Sequence, residues 1–173
     1  MKKRQITILS VTGLGLVAVG ISAFVEVIPK VIFNPSTSAP TGFYRVYEVG
    51  ELRRGDLVLA HVPEHYRPLV TERNYLSKDI PLIKRVAALS GDYVCYRSGA
   101  DFINGIAVAV PLETDGMGRP MPTWKGCRTL QNHEFFAVMT DVNTSLDSRY
   151  FGPLELSLVI GKLEPVWLMD QSN

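Results

Sequence analysis

An uncharged run from Ile6 to Val25, set behind the cationic cluster Lys2-Lys3-Arg4, constrains this chain more than any other stretch. At about 20 residues it is long enough to cross a bilayer as a helix, and its positive flank keeps the N-terminus in the cytoplasm and places everything after Glu26 outside. Gly13, Gly15 and Gly20 argue against a buried soluble helix, because glycine weakens helices in water and membrane helices tolerate it better. The reading favoured is a retained anchor over residues 1–28. A signal peptide cleaved near Ser22-Ala23 is the alternative, although the run exceeds the usual apolar region of such peptides.

Residues 29–173 then form one domain outside the cytoplasm. A chain of 173 residues, 46% hydrophobic and 20% charged, can bury a real core. Its net charge of +1, from 18 basic against 17 acidic residues, leaves no basic face for nucleic acid beyond the N-terminal cluster. Nucleic acid is therefore set aside as a partner.

Beyond the anchor, Val27 to Phe33 is still apolar and belongs near the membrane surface. Prolines at 35 and 40, Gly42 and the hydroxyl residues among them exclude a helix interior and mark a constrained loop. From there the pattern is short strands broken by turns. Tyr44–Tyr47 and Asp56–Ala60 read as a hairpin, and Pro68 to Ser77 as a short helix with proline in its first turn. Tyr93–Tyr96 and Ile106–Ala109 read as a strand pair, with Asn104-Gly105 as a tight turn. Glu113 to Gly126 reads as loop, and Glu134–Met139, Leu158–Gly161 and Glu164–Met169 as closing strands.

The residue that most needs explaining is Lys84, inside the otherwise apolar strand that follows Pro81. At period two, Leu82, Lys84, Val86 and Ala88 share one face while Ile83, Arg85, Ala87 and Leu89 share the other, so one of the two cations points inward. A lysine in an apolar site loses hydration of its ammonium form, its pKa falls, and a neutral amine becomes available as a base. The bland alternative is an edge strand with both cations in solvent.

His61-Val-Pro-Glu-His65 matches a zinc signature on paper, but Pro63 opposes the helical turn that would bring both histidines to one ion. No metal and no cofactor are expected. Outside the cytoplasm the two cysteines, Cys95 and Cys127, should oxidise to a disulfide; two unrelated buried thiols are the alternative.

Three segments, taken together, resemble the bacterial type I signal peptidases, and most closely their conjugative-transfer relatives of the TraF kind. Pro35-Ser-Thr-Ser-Ala-Pro-Thr-Gly-Phe-Tyr44 resembles the nucleophile box, Ile83-Lys-Arg-Val-Ala-Ala-Leu-Ser-Gly-Asp92 the lysine box, and Ser145-Leu-Asp-Ser-Arg-Tyr-Phe-Gly152 the third box. Their order and spacing match over nearly all of the chain. Ala39 after the serine, where housekeeping signal peptidases usually have methionine, points to the conjugation branch.

The resemblance implies a mainly β fold, a signal-peptidase-like antiparallel β domain behind one N-terminal transmembrane helix. It implies Ser38 as nucleophile, Lys84 as general base, and Ser36 as a hydroxyl donor beside the Ser38 N–H in an oxyanion hole. Ser145 would orient the Lys84 amine, Asp147 and Arg149 would form a supporting ion pair, and Gly152 a tight turn. Thr140-Asp-Val-Asn143 departs from the family pattern and is a residue shorter. The expected activity is that of a membrane-associated serine endopeptidase acting on a secreted precursor polypeptide, a conjugative pilin, bound as an extended strand. The expected setting is the periplasmic face of the inner membrane among conjugation or type IV secretion components. A pilin cyclase or transpeptidase would use the same acyl-enzyme, and a catalytically silent periplasmic assembly module would keep only the fold.

Overall fold

The computed structural model describes residues 3–22, 29–77 and 80–169. The first element is the 20-residue helix α1 (Lys3–Ser22), whose apolar side chains from Ile8 to Val19 face outward. Among the described residues no helix is long and apolar enough to cross a membrane. Lys3, Arg4 and Gln5 occupy the first turn of α1, and the apolar run of the sequence continues to Val25, outside the described residues. The transmembrane helix expected over residues 1–28 is thus not established by the fold.

The remainder is antiparallel β structure in two sheets. Seven strands form the larger, in the order β1 (Val31–Asn34), β2 (Gly42–Tyr47), β11 (Val159–Leu168), β3 (Leu57–Ala60), β4 (Leu82–Leu89), β9 (Glu134–Ala137) and β10 (Leu154–Glu155). Four form the smaller: β7 (Ile106–Ala109), β6 (Ala100–Ile103), β5 (Tyr93–Arg97) and β8 (Cys127–Thr129). Two short helices complete the fold, α2 (Arg67–Glu72) with Pro68 in its first turn, and α3 (Ser148–Phe151). A cluster around Val58, Val86, Phe135 and Tyr150 fills one part of the core, Tyr44, Leu59 and Ile83 another, and Val94, Phe136 and Val138 a third under the smaller sheet.

The β2–β3 hairpin expected from the sequence does not form, because β11 lies between the two strands. Lys162 to Leu168 pair with β2 while Val159 to Leu163 pair with β3, so one ten-residue strand serves both shorter ones. Local turn signals carry no record of a partner more than a hundred residues away. Asn104-Gly105 does make a tight turn, with both residues at positive φ as the hairpin requires, but it joins β7 to β6, and β6 rather than β7 pairs with β5. At Gly42 the close packing of β11 demands glycine: φ is +154°, and a Cβ there would lie 2.3 Å from the Trp167 carbonyl oxygen.

Candidate active site

The loop from Pro35 to Thr41 joins two paired strand ends, Asn34 opposite Gly42, so its span is fixed by the ladder on either side. Its interior is tied by one side chain. The buried Asn34 amide donates to the carbonyls of Ser36, Ala39 and Pro40 at 3.0, 3.1 and 3.2 Å and accepts from the Ser36 N–H at 3.1 Å. Tyr44, also buried, donates its hydroxyl to the Pro40 carbonyl, and Ala39 plugs the loop into the core beside it. These ties hold Ser38 half-buried at the loop's turn. Ser36 Oγ lies 2.8 Å from Ser38 Oγ, and the Ser38 N–H donates to Ser36 Oγ at 3.3 Å. The Ser36 hydroxyl and the Ser38 N–H expected to share an oxyanion site are therefore neighbours, with Ser36 Oγ accepting from the Ser38 N–H and lying beside Ser38 Oγ.

On β4, the face carrying Leu82, Lys84, Val86 and Ala88 is the buried one, and Lys84 itself is 2% exposed. Burial lowers its pKa from 10.5 to about 8; nearby Asp147 pulls the value back up and Arg149 pushes it further down. Arg85, on the opposite face, reaches the Gly55 carbonyl instead. The lysine and the arginine are thus sorted by the pleat of the strand.

Asp147 caps α3, accepting the Arg149 N–H, and grips the same residue's guanidinium through two hydrogen bonds of 2.8 Å. Asp147 also accepts the Met139 N–H at 3.1 Å. The remaining Arg149 donors go to the carbonyls of Met139, Val142 and Asn143, so the shortened Thr140–Asn143 turn is bound by the guanidinium itself. Each guanidinium nitrogen of a residue 1% exposed thereby has a partner. Gly152 ends α3 at φ +74° with Trp124 packed so closely that a Cβ would lie 2.3 Å from its Cδ1. Ser145 Oγ is buried without a hydrogen-bond partner, and the Ser145–Lys84 hydrogen bond that the resemblance implies is not made in this structure.

Ser36, Ser38 and Lys84 open into one cleft of about 320 Å³, whose walls include Leu82, Leu146 and Tyr150. Three contributors were not singled out from sequence. Asn34 read only as the start of the constrained loop, Tyr75 as the tail of a helix, and Met121 as loop; only an Asx residue ahead of a Pro/Ser-rich turn hinted at the first. The remaining motif residue, Asp92, is structural: it pairs with Arg54, accepts the Leu89 N–H and the Asn104 amide, and so pins the β4–β5 turn. Cys95 and Cys127 are register partners on β5 and β8 and are joined as a disulfide, in the smaller sheet. Among the described residues His133, Glu134 and Glu155 bring ligand atoms within 4.8 Å of one another. Arg128 takes both Glu134 oxygens, so no metal is assigned there.

Residues 3–168 match the family described as signal peptidase, peptidase S26, and the chain belongs to that family. Its relatives place it on the TraF branch. It is 36% identical over 89 residues to plasmid transfer protein TraF of Escherichia coli, covering 49% of each chain. It is 30% identical over 149 residues to conjugal transfer protein TraF of Agrobacterium fabrum, covering 79% of this chain and 82% of that one. Thylakoidal processing peptidase 1 of Arabidopsis thaliana is 26% identical over 158 residues, 82% of this chain and 45% of that one. The chain spans about half the length of the Escherichia coli relatives it matches.

Proposed function

We propose that this protein is a membrane-associated serine endopeptidase in which Ser38 and Lys84 form the catalytic dyad, and that it cleaves a precursor polypeptide of a conjugation system, a pilin. The observation that carries this reading is the lysine: 2% exposed, with a pKa lowered to about 8, and lining the same cleft as a half-buried serine. A lysine with its ordinary pKa of about 10.4 would hold almost no neutral amine at pH 7, whereas one near 8 holds a usable fraction.

The chemistry follows from the groups present. Ser38 Oγ attacks the scissile carbonyl as its proton passes to Lys84 Nζ. The tetrahedral oxyanion takes the Ser38 N–H and the Ser36 hydroxyl, which must leave the contact it makes with that N–H at rest. Lys84 returns the proton to the departing amine, the C–N bond breaks, and water releases the acyl group by the same route in reverse. Asp147 and Arg149 act on the Lys84 charge without touching the reacting atoms.

Association with a bilayer is supported by an aromatic row on the outer face of the sheet. Phe33, Phe43 and Trp167 form a row across β1, β2 and β11, Phe33 tilted on Phe43 at a centroid distance of 4.9 Å and Phe43 stacked on Trp167 at 6.1 Å, flanked by exposed Val31, Val166 and Leu168. Such a patch suits a membrane interface, and it adjoins the strands that hold the Ser38 loop. The disulfide supports an oxidising compartment, the periplasm. Within this reading residues 1–28 are the anchor and residues 29–173 the peptidase domain.

The deciding experiment is mass spectrometry of a co-expressed pilin precursor. Cleavage with addition of one water, lost in Ser38→Ala, is the expected result; a product lacking that water identifies a transpeptidase or cyclase, and an uncut precursor an assembly module.

A further inference from the structure

The chain leaves α2 through a turn in the left-handed region at Asn74, φ +54°, a conformation that asparagine tolerates better than most residues. The Tyr75 N–H then donates to the Val70 carbonyl at 2.9 Å, so residues 75 and 76 fold back over the helix. Tyr75 lines the cleft that contains Ser38 and Lys84, where its hydroxyl donates to the Asp115 carboxylate and lies 3.3 Å from Met121 Sδ. Leu76 lines that cleft too, and it also lines a second groove of about 440 Å³. Among the described residues it is the one side chain that the two hollows share.

The second groove is larger than the dyad cleft, and its base is fixed by the core. Val62 and Val70 form the floor, both buried and both members of the cluster that contains Val58 and Phe135. Leu76 and the exposed Ile80 form walls, and Thr71 of α2 stands on the rim. His61 and Glu64, from the stretch that matched a zinc signature on paper, complete that rim. A hollow with an apolar floor and a polar edge gains by taking an apolar side chain out of water. Continuity with the dyad cleft identifies what supplies it. The substrate of an endopeptidase extends on both sides of the scissile bond, so it must leave the cleft at both ends. A chain that leaves across Leu76 arrives over Val62 and Val70. Resting on the dyad reading above, we propose that the substrate polypeptide runs from the Ser38–Lys84 cleft over Leu76 and seats a large apolar side chain in this second groove, an anchor away from the scissile bond.

The test uses the full chain in detergent and examines each side of the scissile bond in turn. On the acyl side the probes are peptide thioesters ending in alanine, with one leucine moved through an otherwise alanine- and serine-based chain. Acylation joins Ser38 Oγ to the acyl carbon and breaks the C–S bond, the serine proton passing through Lys84 to the departing thiolate. Released thiol gives kcat/KM, and the protein mass reports the acyl group on Ser38. On the leaving side, peptide amines with the leucine at successive positions compete with water for the acyl-enzyme. The amine nitrogen takes the acyl carbon, the ester bond to Ser38 breaks, and the amine proton passes through Lys84 to Ser38 Oγ. One leucine position on one side should raise kcat/KM, or the ratio of transfer to hydrolysis, by about tenfold or more over the leucine-free probe, as burial of a leucine side chain commands. Thr71→Trp, which fills the groove, should abolish that gain, and Glu72→Trp, exposed on the same helix and outside the groove, should retain it. If Thr71→Trp fails to fold, Ile80→Ser carries the test by cutting the gain by about threefold or more. A flat response to leucine at every position on both sides overturns the proposal, as does a gain that survives in folded Thr71→Trp protein. Wild-type protein that releases no thiol and gains no mass on Ser38 overturns the dyad reading instead, and the anchor with it.

Discussion

Asp147 holds Arg149 through paired hydrogen bonds of 2.8 Å, and both side chains are sealed from solvent while their opposed charges act on Lys84. A buried pair of this kind is most damaging when half of it is removed. Asp147→Asn and Arg149→Met should each lower stability by about 3–5 kcal/mol in urea unfolding, whereas replacing both with apolar residues should lose less than the sum.

The rate of Ser38 acylation should rise with pH along a limb centred near 8, where Lys84 loses its proton. Lys84→Ala should remove that limb along with turnover, and Lys84→Arg should fail too, since guanidinium stays charged throughout the range. Pre-steady-state acylation against pH provides the measurement. Rapid acylation by either variant would exclude Lys84 as the base.

Stability offers a second readout of the same residue. Because the folded pKa, about 8, lies below the unfolded value of 10.5, the unfolded chain binds more protons between those pH values, and stability rises with pH across that window. Below pH 8 the burden of a buried ammonium is fully present. Lys84→Met should therefore stabilise the domain by up to about 3 kcal/mol at pH 7, with the gain shrinking as pH climbs past 8. A gain that does not vary between pH 7 and 10 would contradict this.

Removing the disulfide by Cys95→Ser with Cys127→Ser should cost about 3–4 kcal/mol in the chain-entropy model, given a sequence separation of 32. Thermal unfolding with and without reductant checks it. Since the bond lies in the smaller sheet, acylation of the protein that remains folded should be unaffected.

Asn34→Ala removes four hydrogen bonds from the Ser38 loop at once. Misplacement of Ser38 should lower kcat/KM by about 100-fold, a larger effect than the loss of about 1–3 kcal/mol in stability would suggest. The two quantities, measured on one preparation, separate positioning from unfolding.

What could be read ahead of the structure follows from which signals are local. Alternation along residues 82–89 put Lys84 and Arg85 on opposite faces, because side-chain direction repeats every two residues in any strand, and packing decided that Lys84 is the buried one. The ion pair of Asp147 with Arg149 and the turn at Gly152 came from a motif only eight residues long. The strand order did not come, since nothing near residues 44–60 announces that β11 will enter between β2 and β3. The Ser145–Lys84 hydrogen bond expected from the resemblance is not made among the described residues. Asn34, Tyr75 and Met121 stayed invisible for the same reason as the strand order: their importance lies in partners brought close by folding, from 2 to 46 residues away in the cases described.

The placement of β11 also has a bearing on timing. Ser38 sits beside β2 and Lys84 on β4, and the sheet between them is completed by the last strand of the described chain. Until residues 159–168 have been synthesised, the two halves have no ladder to join them. Pairings of such long range are slow to form. On the proposed reading, a chain that has not yet completed β11 should lack the assembled Ser38–Lys84 pair.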